Sequence, residues 1–455
     1  MSQSPPAPQF GRLTTGSITG HLIGQTTPAI VAVAAMTSVG IVDAYFIGRL
    51  GGAQLAAMSF VFPIAQALSS LGVGVLASIA SVASRRLGAG EVEQANRIGN
   101  MGIVLASGLG VALALALFGF RHALFRAMNA PPELLPLIDR FIVPYSCGFP
   151  LLLVLMGLNG NLRAQGEAKR SSAIMIAMAA SNLVFNPLLI DGLGIFPGYG
   201  IAGSAYATIL SMTLATVLGF WALQHTDLPF HPAILRQCEW GAGTRALARI
   251  AGPASFANAI NPMGLAVLTS LLAAEGAAAV AGYGAATRLQ AFAIVPLLGL
   301  SGSIGAIVGQ NWGRGFHDRA RAALVQSGLF CVGYGLTVAA IMVLAREQLA
   351  WVFTDDPVIA ANFATYLSIG AWGYAGFGVL IVTNGALNAI GRSGSALLLS
   401  AARVVLVMLP AAAILQPRLG APGVFGGELA ANLGGGLLAA LLVLYLFRER
   451  PPPRL

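Results

Sequence analysis

Five side chains in the first half of the chain have the types and spacing of a small cation or proton site. Asp43 is a carboxylate set inside an apolar stretch, and that half carries no Lys or Arg away from the ends of any such stretch. Asn182 and Asn186 are four residues apart, as are Ser204 and Thr208, so on helices each pair shares one face. At about 1.5 Å per residue the five fall at similar depth, toward one end of their helices. One carboxylate with amide and hydroxyl oxygens around it suits H⁺ or Na⁺, because hard cations favour oxygen ligands. A carboxyl group with no cationic partner in a poorly watered cleft can take up and release a proton during a cycle.

The second half holds three more ionisable groups inside apolar stretches, Arg288, Arg403 and Glu428, with Asn261 as a further polar residue. Charges in hydrocarbon are costly, so each needs a partner or a task. Opposite charges in neighbouring helices predict that Glu428 is held by Arg288 or Arg403, in a network serving mainly the fold. A second ion or substrate site is the other reading. Cys147, Cys238 and Cys331 have no pair spacing, and the histidines form no metal-ligating pair, so neither a disulfide framework nor a metal site is expected. There is no GxSxG elbow, P-loop or GxGxxG after a strand. The chain therefore reads as neither an enzyme nor a cofactor-binding protein.

The elements that must position these residues follow from composition. Of 455 residues only 9% are charged and 56% are hydrophobic, with a mean hydropathy of +0.79. So few charges cannot cover a soluble surface, which excludes nucleic-acid-binding, disordered and secreted disulfide classes. Hydropathy predicts an all-α integral membrane protein whose main partner is the lipid bilayer. Its twelve spans are 22–47, 54–84, 97–120, 134–162, 171–190, 201–224, 249–273, 278–309, 322–345, 359–390, 394–415 and 423–447. The second, fourth, eighth and tenth exceed the roughly 20 residues needed to cross, and must tilt, kink or project. The amino-terminal stretch is not expected to be a cleaved signal peptide, because its first apolar span is too long.

Of the 25 Lys and Arg, 17 fall in the two tails and every second loop (among them Arg85, Arg86, Arg97, Arg163, Arg314 and Arg319), six in the other loops and two inside spans. The positive-inside rule then places both tails in the cytoplasm. The halves also repeat. Pro28 pairs with Pro253, Gly88–Gly90 with Gly313–Gly315, Asn159-Gly160 with Asn384-Gly385, and Gly166 with Gly391, all 225 residues apart; Gly200–Gly203 pairs with Gly420–Gly423 at 220. An even number of spans per half makes the repeat parallel, about an axis along the membrane normal, with a cleft between two pseudo-symmetric six-helix bundles. The expected divisions are a tail (1–21), an N-lobe (22–224), a linker (225–248), a C-lobe (249–447) and a tail (448–455).

With these residues in place, the chain resembles the multidrug and toxic compound extrusion (MATE) family. The resemblance runs through Pro28–Gly52, Arg86–Gly90 (RLGAG), Asn182–Leu189 (NLVFNPLL), Gly200–Thr208 (GIAGSAYAT), Gly309–Gly315 (GQNWGRG) and Thr383–Ser393 (TNGALNAIGRS), and its wording is similar to the bacterial DinF-like branch. The resemblance implies cation-coupled export of amphipathic, often cationic, compounds by a monomer in the bacterial inner membrane. It implies that Asp43, Asn182, Asn186, Ser204 and Thr208 form the coupling site and that the first helix bends at Pro28. Asn186 stands where many relatives have a second aspartate, which favours H⁺ over Na⁺ as the coupling ion. Asn261 takes the place of a seventh-helix glutamate used in other branches.

Three other readings stay open. A lipid-linked precursor flippase of the same broad superfamily would want several cavity-facing arginines, for which only Arg288 and Arg403 offer themselves. A membrane-embedded enzyme would need a convergent acid, base or metal cluster. A channel is disfavoured by the parallel repeat and the lone titratable acid.

Overall fold

The computed structural model describes residues 11–192 and 197–446. The 448–455 tail and the first ten residues lie outside the described residues, so the expectations placed there are not addressed by the fold. Twelve crossings run in order: α1 Ile18–Leu50, α2 Gly52–Gly88, α3 Val92–Ala127, α4 Leu135–Cys147 with Phe149–Ala164, α5 Ala168–Pro187, α6 Ile201–Gln224, α7 Trp240–Ala273, α8 Ala277–Ala293 with Val295–Arg314, α9 His317–Leu344, α10 Pro357–Gly370 with Tyr374–Ala389, α11 Ser393–Ala401 continuing to Leu419, and α12 Ala421–Leu446. Ten helical spans are long and apolar enough to cross a membrane, and counting each bent pair as one span gives twelve.

The repeat is visible in the backbone. Gly52 and Ala277, Val92 and His317, and Ala168 and Ser393 open equivalent helices 225 residues apart; Ile201 and Ala421 do so at 220. The turn glycines match as well. Gly90 and Gly315 have φ of 84° and 83°, Gly166 and Gly391 81° and 80°. These left-handed conformations cost an L side chain energy, which is why the repeated small residues sit where helices must end.

The over-long spans resolve differently. α4 breaks by 43° at Gly148 and α8 by 45° at Ile294, each before a proline that cannot supply a helical N–H. α10 passes through one 3₁₀ turn, Ala371–Gly373. α2 runs unbroken for 37 residues through Pro63 and projects beyond the hydrocarbon. Two helices start before their apolar spans. α1 starts at Ile18 and α7 at Trp240, and Arg245 and Arg249 lie on helix rather than in a loop. Arg is a good helix former and its long stem reaches water from a helix that protrudes past the lipid. α1 is also one continuous helix through Pro28.

The halves meet along α2 against α7 and along the second part of α8 against α1 and α2. Among the described residues, the side-chain hydrogen bonds between halves lie toward the Arg-rich end. Ser81 Oγ donates to the carbonyl of Ala389 at 3.1 Å, Gln310 Nε2 to Ala164 at 2.7 Å, and Ser303 Oγ to Gln25 at 3.1 Å. Gly88 and Gly313 cross on the pseudo-two-fold axis. A Cβ on Gly88 would run into the carbonyl of Gln310, and a Cβ on Gly313 into the carbonyl of Arg85. The 225 offset maps each of these contacts onto the other.

Candidate functional site

α1, α5 and α6 bring the five predicted N-lobe residues together. Asn186 Nδ2 donates to Asp43 Oδ1 and also, at 3.0 Å, to Asn182 Oδ1. Asn182 Nδ2 donates to Thr208 Oγ1 at 3.4 Å, and Thr208 Oγ1 donates to the Ser204 carbonyl at 3.0 Å. Ser204 thus enters through its main chain. The local cause is the four-residue spacing: Asn182 and Asn186 stack on the face of α5 that packs on α1, and Pro187, lacking an N–H, leads into the π turn Leu188–Gly192. Both asparagines are buried and Asp43 is half-buried, with no Lys or Arg within ion-pair distance among the described residues. Asn186 Oδ1 is buried without a partner.

The C-lobe differs from expectation. Glu428 is held by neither arginine. Its oxygens accept from Tyr283 OH and Gln290 Nε2, each at 3.3 Å, and lie 3.3 Å from Tyr366 OH, which also donates to Gln290 Oε1 at 2.9 Å. Arg403 Nη1 instead donates to Asn261 Oδ1 at 2.8 Å, and its guanidinium lies 5.2 Å above the Phe377 ring. Arg288 is exposed, apart from this cluster. The expected ion pair fails because a neutral network of Tyr283, Gln290 and Tyr366 surrounds the carboxyl group, and because Arg403 sits in a π segment, Ala402–Met408, whose register departs from the 3.6-residue repeat. Arg403, Asn261, Gln290, Glu428 and Asn432 line a cavity of about 120 Å³.

No group of three or more His, Cys, Asp or Glu that could hold a metal ion occurs among the described residues. The Asp43 network can hold a proton or a small cation and change its hydrogen bonding when it does so. It offers no nucleophile paired with a base.

The profile of the MatE family matches residues 28–188 and 253–414, one segment in each half. A protein from Shewanella oneidensis named FAD transporter is 33% identical over 86% of this chain and 87% of its own length. A probable multidrug resistance protein from Bacillus subtilis, YpnP, is 26% identical over 90% and 91%. A Vibrio cholerae MATE transporter structure superposes with a TM-score of 0.91 at 26% identity, covering 95% of this chain and 98% of that one.

Proposed function

Because the chain belongs to the MATE family, whose members are transporters and not enzymes, we propose that it is a secondary active exporter that exchanges H⁺ at Asp43 for small organic, often cationic, amphipathic compounds. The observation that carries this reading is the Asn186 amide donating to a carboxylate that has no ion-pair partner. A donor directed at the carboxylate occupies the place a second oxygen ligand would take around Na⁺, which favours H⁺.

The hydrogen-bond chain supplies a mechanism. With Asp43 ionised, donors run from Thr208 to Ser204, from Asn182 to Thr208, and from Asn186 to both Asn182 and Asp43. A protonated Asp43 needs an acceptor, and Asn186 Oδ1 is the unpartnered one. Turning that amide reverses the chain: Asp43 donates to Asn186, Asn182 to Asn186, and Thr208 to Asn182. The α1–α5 contact therefore changes with protonation, and a cationic substrate loses its counter-charge. The Arg-rich end is assigned to the cytoplasm, so contact between lobes there corresponds to an outward-facing state. Asp43 is 25 residues from the start of α1, roughly 37 Å from that end, and loads from the outer, acidic side. One pH unit supplies about 1.4 kcal/mol per proton. Exchange of one H⁺ for one monovalent cation moves no net charge and draws on the pH gradient alone. The protein acts as a monomer in the bacterial inner membrane with both termini cytoplasmic, and it needs no cofactor. The name of the Shewanella relative supports admitting anionic organic compounds as well.

Proteoliposomes under separately imposed pH and Na⁺ gradients test this. A pH gradient alone should drive efflux, a Na⁺ gradient alone should not, and Asp43→Asn should abolish efflux with the protein still folded. Undiminished pH-driven efflux by Asp43→Asn refutes the assignment.

A further inference from the structure

The C-lobe cavity has a chemistry the coupling network does not use. Arg403 is 3% exposed and carries a charge that no physiological pH removes. Of its five N–H donors, Nη1 is engaged by Asn261, while Nε is buried with no partner. Glu428 shares the cavity but lies beyond ion-pair distance, its oxygens surrounded by Tyr283, Tyr366 and Gln290. Asn432, also buried, leaves its Oδ1 unpartnered. A buried cation facing a hollow without a contacting counter-ion is an unstable arrangement unless an anion enters. The volume of about 120 Å³ matches a few waters or one oxyanion group.

Access is in place. The wall made by Arg403, Glu428 and Asn432 is buried, whereas Asn261, Thr287 and Gln290 on the opposite wall are half-buried. That wall belongs to α7, which packs on α2 of the N-lobe, and to the first part of α8, which touches α1. A molecule in the cleft between the lobes therefore reaches the guanidinium past α7 and α8.

We propose that this cavity is a subsite for an oxyanion group, carboxylate or phosphate, carried by the transported molecule, with Arg403 as the residue that selects it. The planar guanidinium, fixed by Asn261 and the Phe377 ring, presents parallel N–H donors to two oxygens at once. Asn432 turns its amide to add a donor. The subsite rests on the reading of the chain as a transporter but not on which ion drives it.

The test is equilibrium binding to the purified full-length protein, without any ion gradient, of 1-naphthalenemethanol, 1-naphthylacetate and 1-naphthyl phosphate. The three share the naphthalene ring system; the first is neutral, and the other two carry a carboxylate and a phosphate. At least one anionic probe should bind about tenfold or more tighter than the alcohol, as expected when a charge-assisted hydrogen bond is gained. Which anion binds tighter separates a carboxylate from a phosphate site. Arg403→Gln should bring all three within about twofold of one another. Asn261→Asp keeps the fold's guanidinium and gives it an internal counter-ion, so it should erase the anion preference while raising the melting temperature. Asp43→Asn should leave the preference intact, so failure of the coupling assignment and failure of this subsite are separately visible. Equal binding of all three probes to the wild-type protein, or a preference that survives Asn261→Asp, overturns the proposal.

Discussion

Gly88→Ala is expected to push the transporter away from the conformation described above. The added methyl would overlap the Gln310 carbonyl. Backbone cannot rotate aside as a side chain can, so relief requires α2 and α8 to separate at the Arg-rich end. Overpacking of this kind costs about 1–3 kcal/mol. If the alternative conformation is free of the overlap, the equilibrium between the two shifts by about 5- to 150-fold. Gly313→Ala meets the Arg85 carbonyl in the same way and should act in the same direction, and the double variant should exceed either alone. The assay is a distance distribution between spin labels at Ala53→Cys and Ala277→Cys, both exposed at the far ends of α2 and α8, in a background without Cys147, Cys238 and Cys331. Parting the lobes at one end should draw the far ends together, moving population to shorter distances. Helical content by circular dichroism guards against unfolding as the cause. Unchanged distributions in both folded single variants would show that the glycine crossing does not hold the lobes.

Other expectations follow from the same contacts. Asn186→Asp places a second carboxyl against Asp43, and transport should acquire Na⁺ dependence, read as efflux driven by a Na⁺ gradient alone. Thr208→Val removes the hydroxyl at the end of the hydrogen-bond chain; pH-driven efflux should fall while substrate binding persists, and an unaltered rate would count against a chain that reverses. Tyr366→Phe removes the buried hydroxyl that bonds Gln290 and faces Glu428, costing about 1–3 kcal/mol, so the melting temperature should drop whether or not transport continues. Single cysteines in the 89–91 and 315–316 turns should resist impermeant reagents in intact cells; labelling of either from outside would reverse the proposed orientation.

The residues explain what the sequence disclosed and what it withheld. The spans, the two halves and their offset were legible because hydrocarbon imposes length and apolarity on every crossing, and because turn glycines mark where helices end. The N-lobe cluster was legible because two i,i+4 pairs and one acid share a depth on regular helices. The C-lobe arrangement was misread. Opposite charges suggested a pair, yet the groups on Glu428 are two phenols and an amide, which in sequence look like packing residues. Arg403 lies in a π segment, so its direction cannot be counted off in steps of 3.6. The unbroken course of α1 through Pro28 was equally hidden, since a proline states only that a helix can bend.

The crossing of Gly88 and Gly313 has an evolutionary consequence. A contact that maps onto itself under a two-fold operation is isologous, the kind by which identical subunits associate. The fused chain has the form of a homodimer made covalent, with 225–239 as the tether that keeps the halves at high effective concentration. Tethering frees each half from having to match its twin anywhere except at the crossing. One half could then specialise around a carboxylate and the other around a guanidinium, an inequality that two copies of one gene product could never sustain.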